Sequence, residues 1–262
     1  LALILSGAQQ VIKRADLVNY LNDFLSCDDL KDYAPNGLQV EGKEDIYKIC
    51  AAVTASEDVI AKAESMQADA LLVHHGYFWR GESPVITGIK KRRISRLLLS
   101  DINLFAYHLP LDCHPELGNN ACFGNLIDAK EIKMHKAGNT ADLLWSGTLS
   151  KPQSIDDLSS LLAKKLKRTP LVIKKDNKLV NRVAWCTGAA QDFIDDAHTL
   201  GVDTYITGEV SERTYYQALE LGINFISCGH HASERYGVQA LGEKLSRKFD
   251  LQYSFIDSDN PV

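Results

Sequence analysis

Three segments of this chain place cation-binding side chains directly after a strand-like apolar run. Ala70–Val73 leads into His74-His75-Gly76. Asn103–Tyr107 leads into His108-Leu109-Pro110-Leu111-Asp112. Asn224–Ser227 leads into Cys228-Gly229-His230-His231-Ala232-Ser233-Glu234. Sites in open α/β sheets gather at the carboxyl ends of strands, so all three positions suit chemistry. If the first strand stops at Val73, the chain can turn and let both imidazoles serve one site, since neighbours on a continuing strand point to opposite faces. His230 and Glu234 are spaced i, i+4, which a helix would put on one face. A fourth strand-like run, Thr204–Thr207, is followed by Gly208-Glu209.

Each signal has a plainer reading when taken alone. The histidines could be structural hydrogen-bonders, Asp112 a loop brace, His230 and Glu234 a surface pair, and Glu209 a helix-start carboxylate favoured by the macrodipole. Their conjunction favours metal. Imidazole and carboxylate donors without thiolates suit Zn, Mn, Fe or a similar divalent ion. The three strand ends carry His74-His75, His108 with Asp112, and His230 with Glu234, and some five good donors with one bridging carboxylate are few for two closed sites. They suffice for two divalent ions that keep open positions, as catalysis requires. A carboxylate has two oxygens, so Glu234 could bridge the pair.

These donors need elements to hold them. Leu17, Leu21, Phe24 and Leu25 recur at helical spacing, Lys48–Thr54 reads as a buried strand, and Ser56 reads as an N-cap. Ile89–Ser100 reads as a helix, and Asp32–Gly37 as a turn or ordered loop. After a less regular middle, 128–178, helices at Asp192–Leu200, Ser211–Glu220 and Ala232–Phe249 alternate with short strands. The pattern predicts an α/β protein whose two alternating regions form separate lobes joined by the weaker middle. The expected divisions are a first lobe over 13–127, completed by 228–262, and a second over 128–227. Residues 1–12 read as an extension outside the fold.

Composition narrows the function classes. The 262 residues are 45% hydrophobic and 24% charged, as a globular chain requires, and the net charge of −5 opposes broad capture of nucleic acid. The basic run Lys90-Lys91-Arg92-Arg93 with Arg96 reads as a solvated helix face, with a phosphate-attracting cleft as the alternative. Tyr77, Phe78 and Trp79 read as packing residues. No apolar run approaches the roughly 20 residues that span a bilayer. The six cysteines form no C-x-x-C pair and read as buried free thiols, which together with the lack of a signal segment predicts a cytoplasmic protein. P-loop and G-x-S-x-G motifs are absent.

Four motifs in order, Asp32-Tyr33-Ala34-Pro35-Asn36-Gly37-Leu38-Gln39-Val40, Val73-His74-His75-Gly76, Leu109-Pro110-Leu111-Asp112 and Gly229-His230-His231-Ala232-Ser233-Glu234, resemble the GTP cyclohydrolase I type 2 homologue family, also called Nif-three-like dinuclear-metal proteins. The likeness is to its YbgI-type bacterial branch and runs from about Lys13 to the C-terminus. The resemblance implies that His74, His75, Asp112, His230 and Glu234 are the metal ligands, with Glu234 bridging. It implies an α/β fold of two lobes, each a mixed sheet flanked by helices, with the metal site between them, assembled as a toroidal homohexamer, a trimer of dimers. It also implies hydrolysis of a nucleotide or related metabolite through a metal-bridging water, the name suggesting opening of the guanine imidazole ring of GTP with loss of formate. His108, Glu209 and His231 are the candidates for orientation or proton transfer. A ring that stores, delivers or senses metal without turnover would use the same ligands.

Overall fold

The computed structural model describes residues 10–262. In chain order its elements are β1 (Ile12–Lys13), α1 (Arg14–Phe24), β2 (Gly37–Val40), β3 (Asp45–Ile46), β4 (Lys48–Thr54), α2 (Glu57–Ser65), β5 (Ala70–His75), α3 (Gly88–Leu99) and β6 (Asn103–Ala106). Then follow α4 (Leu109–Asp112), α5 (Asn119–Leu126), β7 (Ala129–Ala137), β8 (Thr140–Gln153), α6 (Ile155–Leu166), β9 (Leu171–Ile173), β10 (Val180–Cys186) and α7 (Ile194–Thr199). The last are β11 (Thr204–Thr207), α8 (Glu212–Leu221), β12 (Asn224–Ser227), α9 (His230–Ser233), α10 (Arg235–Phe249) and β13 (Gln252–Phe255).

The chain forms two compact units. The first holds residues up to His108 together with Val238–Ser258, and the second holds Leu109–Gly237 with Asp259–Val262. The first boundary therefore falls at 108/109 where the sequence suggested 127/128, and the return falls at 237/238 in place of 227/228. The physical reason is packing. Helix α5 belongs to the second core: Ala121 and Phe123 are buried there, Trp185 Nε1 donates to the Asn120 carbonyl at 2.9 Å, and a Cβ on Gly124 would press on the Trp185 ring. Of the segment read as an extension, residues 1–9 lie outside the described residues. Ile12 belongs to the fold, buried and paired with Ile46 in a small antiparallel ladder.

In the first unit a five-stranded sheet runs β13-β4-β5-β6-β2, parallel except for β2 at one edge. Strand β4 reads Ile49-Cys50-Ala51-Ala52-Val53 and is buried throughout, as expected of a parallel strand covered on both faces. Helices α2 and α3 press Val59, Ile60, Ala63, Ile94 and Leu97 onto it. The Ser56 side chain caps α2 by accepting from the Val59 amide. On the outer side, Arg92 and Arg96 of α3 pair with Glu57 and Glu64 of α2 at 3.0 and 2.6 Å, and Lys90 pairs with Glu82 at 3.1 Å. Much of the basic run is thus neutralised within its own unit.

In the second unit a six-stranded sheet runs β7-β8-β10-β11-β12-β9. Its centre, β10-β11-β12, is parallel, and its flanks are antiparallel. Ser154 caps α6, whose Ile155, Leu158, Leu162 and Leu166 fill one face of the core beside Val183, Trp185, Ile206 and Ile226. Fully burying an aliphatic side chain of this size stabilises by roughly 1.5–3 kcal/mol. This face holds the parallel strands in place, and their carboxyl ends lead into candidate donor residues.

Candidate metal-ligand groups

The first donor group belongs to the first unit. Strand β5 does not stop at Val73; it pairs with β4 as far as His75, which lies opposite Thr54. The two rings nevertheless meet over its carboxyl end, with centroids 4.6 Å apart. Each imidazole is drawn toward a different neighbouring strand. His74 is fully buried, and its Nδ1 donates to the Tyr107 carbonyl beyond β6 at 2.9 Å. The Nδ1 of His75 lies 3.2 Å from Thr54 Oγ1 at the end of β4. Gly76 follows with no room for a side chain, since a Cβ there would strike Gln39.

His108 completes the group. Its ring centroid lies 5.1 Å from that of His74 and 5.9 Å from that of His75. The three residues can offer ligand nitrogens that all lie within 4.8 Å of one another. The Nδ1 of His108 donates to Asp32 Oδ1 at 2.7 Å, and Trp79 packs its ring edge-on at 4.9 Å. Burial alone would raise the Asp32 carboxyl. The hydrogen bond and charge of His108, the Asn36 amide and the Tyr33 amide outweigh it and hold that carboxyl at about 2.

The second group belongs to the second unit. Asp112 closes α4 and Glu234 lies between α9 and α10; both are buried, and their carboxylate oxygens come within 4.8 Å. The helix expected over Ala232–Phe249 is broken at Glu234, which has φ −104° and ψ 6°. The i, i+4 pairing survives the break, with His230 Nε2 3.1 Å from Glu234 Oε2. On the ring's other side, Nδ1 donates to Glu209 Oε1 at 2.7 Å. Burial by itself would lower the pKa of His230, but the hydrogen bonds and charges of Glu234 and Glu209 raise it to about 9. Asp112 accepts from Asn119 Nδ2 at 2.8 Å, and Asn119 in turn accepts from the Gly237 amide at 3.0 Å.

The carboxyl ends of the parallel strands make room for these residues through a glycine at each strand: Gly188, Gly208 and Gly229. The Gly208 amide donates to the Gly188 carbonyl at 2.9 Å, and the Gly229 amide to the Gly208 carbonyl at 2.8 Å. Gly188 has φ +75°, and a Cβ on it would occupy the place of Glu234 Oε1. Sequence reading passed over this repeated Thr/Cys-Gly step, although Thr187-Gly188, Thr207-Gly208 and Cys228-Gly229 were its visible signal. It also gave Asp32 and Asn36 no part in the site, placing them in a turn or ordered loop and in the first family motif. His231 is buried, its amide donates to the Val262 carbonyl at 3.0 Å, and among the described residues it belongs to none of the donor groups.

Other features stand apart from these groups. All six cysteines are free; Cys27 and Cys122 are half-buried and the other four are buried. Cys186 lies near Asp112 and Glu234, and burial first, then those negative charges, push its thiol far above the ordinary range. A cavity of about 270 Å³, lined by Lys175, Asp176, His198, Asp203 and Asn224 among others, opens at the opposite, amino ends of β11 and β12.

The donors fit divalent cations. Three imidazoles present Nδ1–H to a carbonyl or carboxylate that can only accept, so Nε2 is the nitrogen left to coordinate. Support of this kind is usual for metal-bound histidine. Two buried carboxylates side by side also call for positive charge. The fold and donor groups thus describe a mixed α/β protein with residues able to hold metal. Residues 12–261 match the Duf34/NIF3 (NGG1p interacting factor 3) family, and the chain belongs to it.

Relatives named "GTP cyclohydrolase 1 type 2 homolog" include one from Pasteurella multocida, 51% identical over 94% of this chain and 98% of its own length. The relative from Escherichia coli K12 is 48% identical over 96% of this chain and all of its own. Among solved structures, protein ybgI, described as of unknown function, superposes with a TM-score of 0.92 at 47% identity, covering 96% of this chain and all of that one. A protein from Thermus thermophilus gives 0.87 at 32% identity, with the same coverage. Among the described residues, no helix is long and apolar enough to cross a membrane.

Proposed function

We propose that the chain is a dinuclear metal-dependent hydrolase acting on a nucleotide or a related metabolite. His74, His75, Asp112, His230 and Glu234 would hold the ions, with Glu234 the residue able to serve both. His108, Glu209 and His231 orient groups or move protons. The observation that carries this reading is the fixed direction of the imidazoles. His74, His108 and His230 each commit Nδ1–H to an acceptor at 2.7–2.9 Å.

If these donors hold two divalent ions, the chemistry such ions would supply is an acidified water as the nucleophile for hydrolysis. The chain's own part is to hold the donors still and charged. Asp112 and Glu234 bring negative charge in a buried setting, where it attracts cations more strongly than it would in water. Glu209 favours the cationic form of the His230 ring in the metal-free protein and strengthens its basicity as a ligand.

The name carried by the relatives supports GTP as the first substrate to try, with formate as the product. The family likeness also supports a cytoplasmic homohexamer built as a trimer of dimers. The test is to load purified protein with Zn, Mn or Fe and assay formate release from GTP and phosphate release from a nucleotide panel. Turnover that disappears on chelation and returns with metal is expected. Tight metal binding without turnover of any of these would overturn hydrolysis and leave storage, delivery or regulation.

A further inference from the structure

We infer that Asp32 and Asn36 are positioning residues that make His108 a third imidazole donor beside His74 and His75. The inference deepens the metal reading above and rests on it, and it replaces the orienting or proton-moving role given there to His108 with that of a ligand. Its material is the loop 32–37, which the sequence presented as a turn or ordered loop opening the first family motif.

The loop grips His108 at two points. Asp32 Oδ1 accepts from the ring Nδ1 at 2.7 Å, and Asn36 Oδ1 accepts from the His108 amide at 2.7 Å. The two gripping side chains are tied to each other, Asn36 Nδ2 donating to Asp32 Oδ2 at 2.9 Å. Asp32 also accepts from the Tyr33 amide at 2.5 Å, and its side chain is only 3% exposed. Arg80 anchors the loop from outside by donating to the Asp32 carbonyl at 2.9 Å. The carboxylate is thus held on all sides, and His108 is fixed in both backbone and ring.

The effect is chemical as well as geometric. A carboxylate can only accept, so the His108 proton sits on Nδ1 and Nε2 keeps its lone pair. With Nδ1 turned to Asp32, Nε2 is the nitrogen left for His108 to offer to the group it forms with His74 and His75. Trp79 packs edge-on against the same ring and restricts its rotation. A carboxylate behind a ligating histidine fixes the tautomer and raises ligand basicity, and losing such a partner typically costs about 10–100-fold in metal affinity. A turn that only shaped the loop would have no need of a buried carboxylate aimed at an imidazole.

The experiment is a Co(II) titration of the full chain, following the visible d–d bands and the paramagnetically shifted exchangeable imidazole N–H protons. Wild type should show a shifted N–H resonance that is missing in His108→Ala. That variant should bind Co(II) more weakly, with altered bands. Asp32→Ala should weaken binding about 10–100-fold. Asp32→Asn keeps an acceptor for Nδ1–H and should recover part of the loss. Asn36→Ala leaves the Asp32–His108 contact in place and serves as a second variant should Asp32→Ala fail to fold; it should broaden the His108 resonance and weaken binding. If His108→Ala matches wild type in bands and affinity, His108 is no ligand and the inference is overturned. If His108→Ala is impaired while Asp32→Ala and Asn36→Ala are not, the positioning role is overturned. A wild type that takes up no Co(II), Zn or Mn would instead overturn the metal reading itself.

Discussion

Glu209 Oε1 lies 2.7 Å from Nδ1 of His230, on the side of the ring opposite Glu234. A carboxylate in that place makes the imidazole a stronger base toward a proton and toward a metal alike. Glu209→Gln keeps an acceptor but removes the charge. The expected result is metal affinity about 10–100-fold weaker in its high-pH plateau, with the plateau reached at lower pH. Metal titrations of wild type and variant across pH 6–10 check both shifts. An unchanged plateau would reduce Glu209 to a helix-start carboxylate.

Gly188 tests the space given to the bridging candidate. Its φ of +75° disfavours any L side chain, and its Cβ would take the place of Glu234 Oε1. Glu234 is 3% exposed and has little room to retreat. Gly188→Ala should cost about 1–2 kcal/mol through backbone conformation alone, with displacement of Glu234 adding to it. Denaturant unfolding of the metal-free protein measures that cost, and metal analysis should show reduced occupancy. A variant of wild-type stability and occupancy would mean that Glu234 is not confined by this strand end.

The strand ends were legible in the sequence because their apolar runs are short, buried and followed at once by polar donors. Ala70–Val73, Thr204–Thr207 and Asn224–Ser227 all lie in strands at the places expected. Strand β7 was hidden for the opposite reason. Residues 130–134 are all exposed, so no alternation of apolar and polar side chains marks it. The support of His108 was hidden too, because Asp32 and Asn36 act on it across 76 and 72 residues of chain. Spacing rules see neighbours along a helix or strand; hydrogen bonds of that range exist only once the sheet is assembled. The break at Glu234 shows the converse limit, since the i, i+4 contact was expected from a continuous helix and is made without one.

Glu234 is the residue on which a shared pair of ions depends. Glu234→Gln preserves shape and burial but removes one charge and one strong donor oxygen. Elemental analysis should find fewer than two ions per chain in the variant when wild type holds two. Two ions retained would assign the bridging role elsewhere.

The pH dependence of the metal-free protein follows from His230. Its pKa rises from the ordinary 6.5 to about 9 in the folded chain, while the unfolded chain keeps the ordinary value. A raised folded value means that stability from this group is fully present below about pH 6.5 and is lost as pH climbs toward 9. At about 1.36 kcal/mol per unit, the loss is on the order of a few kcal/mol. Thermal unfolding of chelated protein between pH 6 and 9.5 should show a falling midpoint. Metal should reverse the trend, since an ion that binds Nε2 must displace the proton held there, and affinity rises with pH over the same window. Calorimetric titrations in buffers of differing ionisation enthalpy should register the released proton. His230→Ala should flatten the midpoint curve between pH 6.5 and 9; a variant that retains the full slope would place its origin in another group.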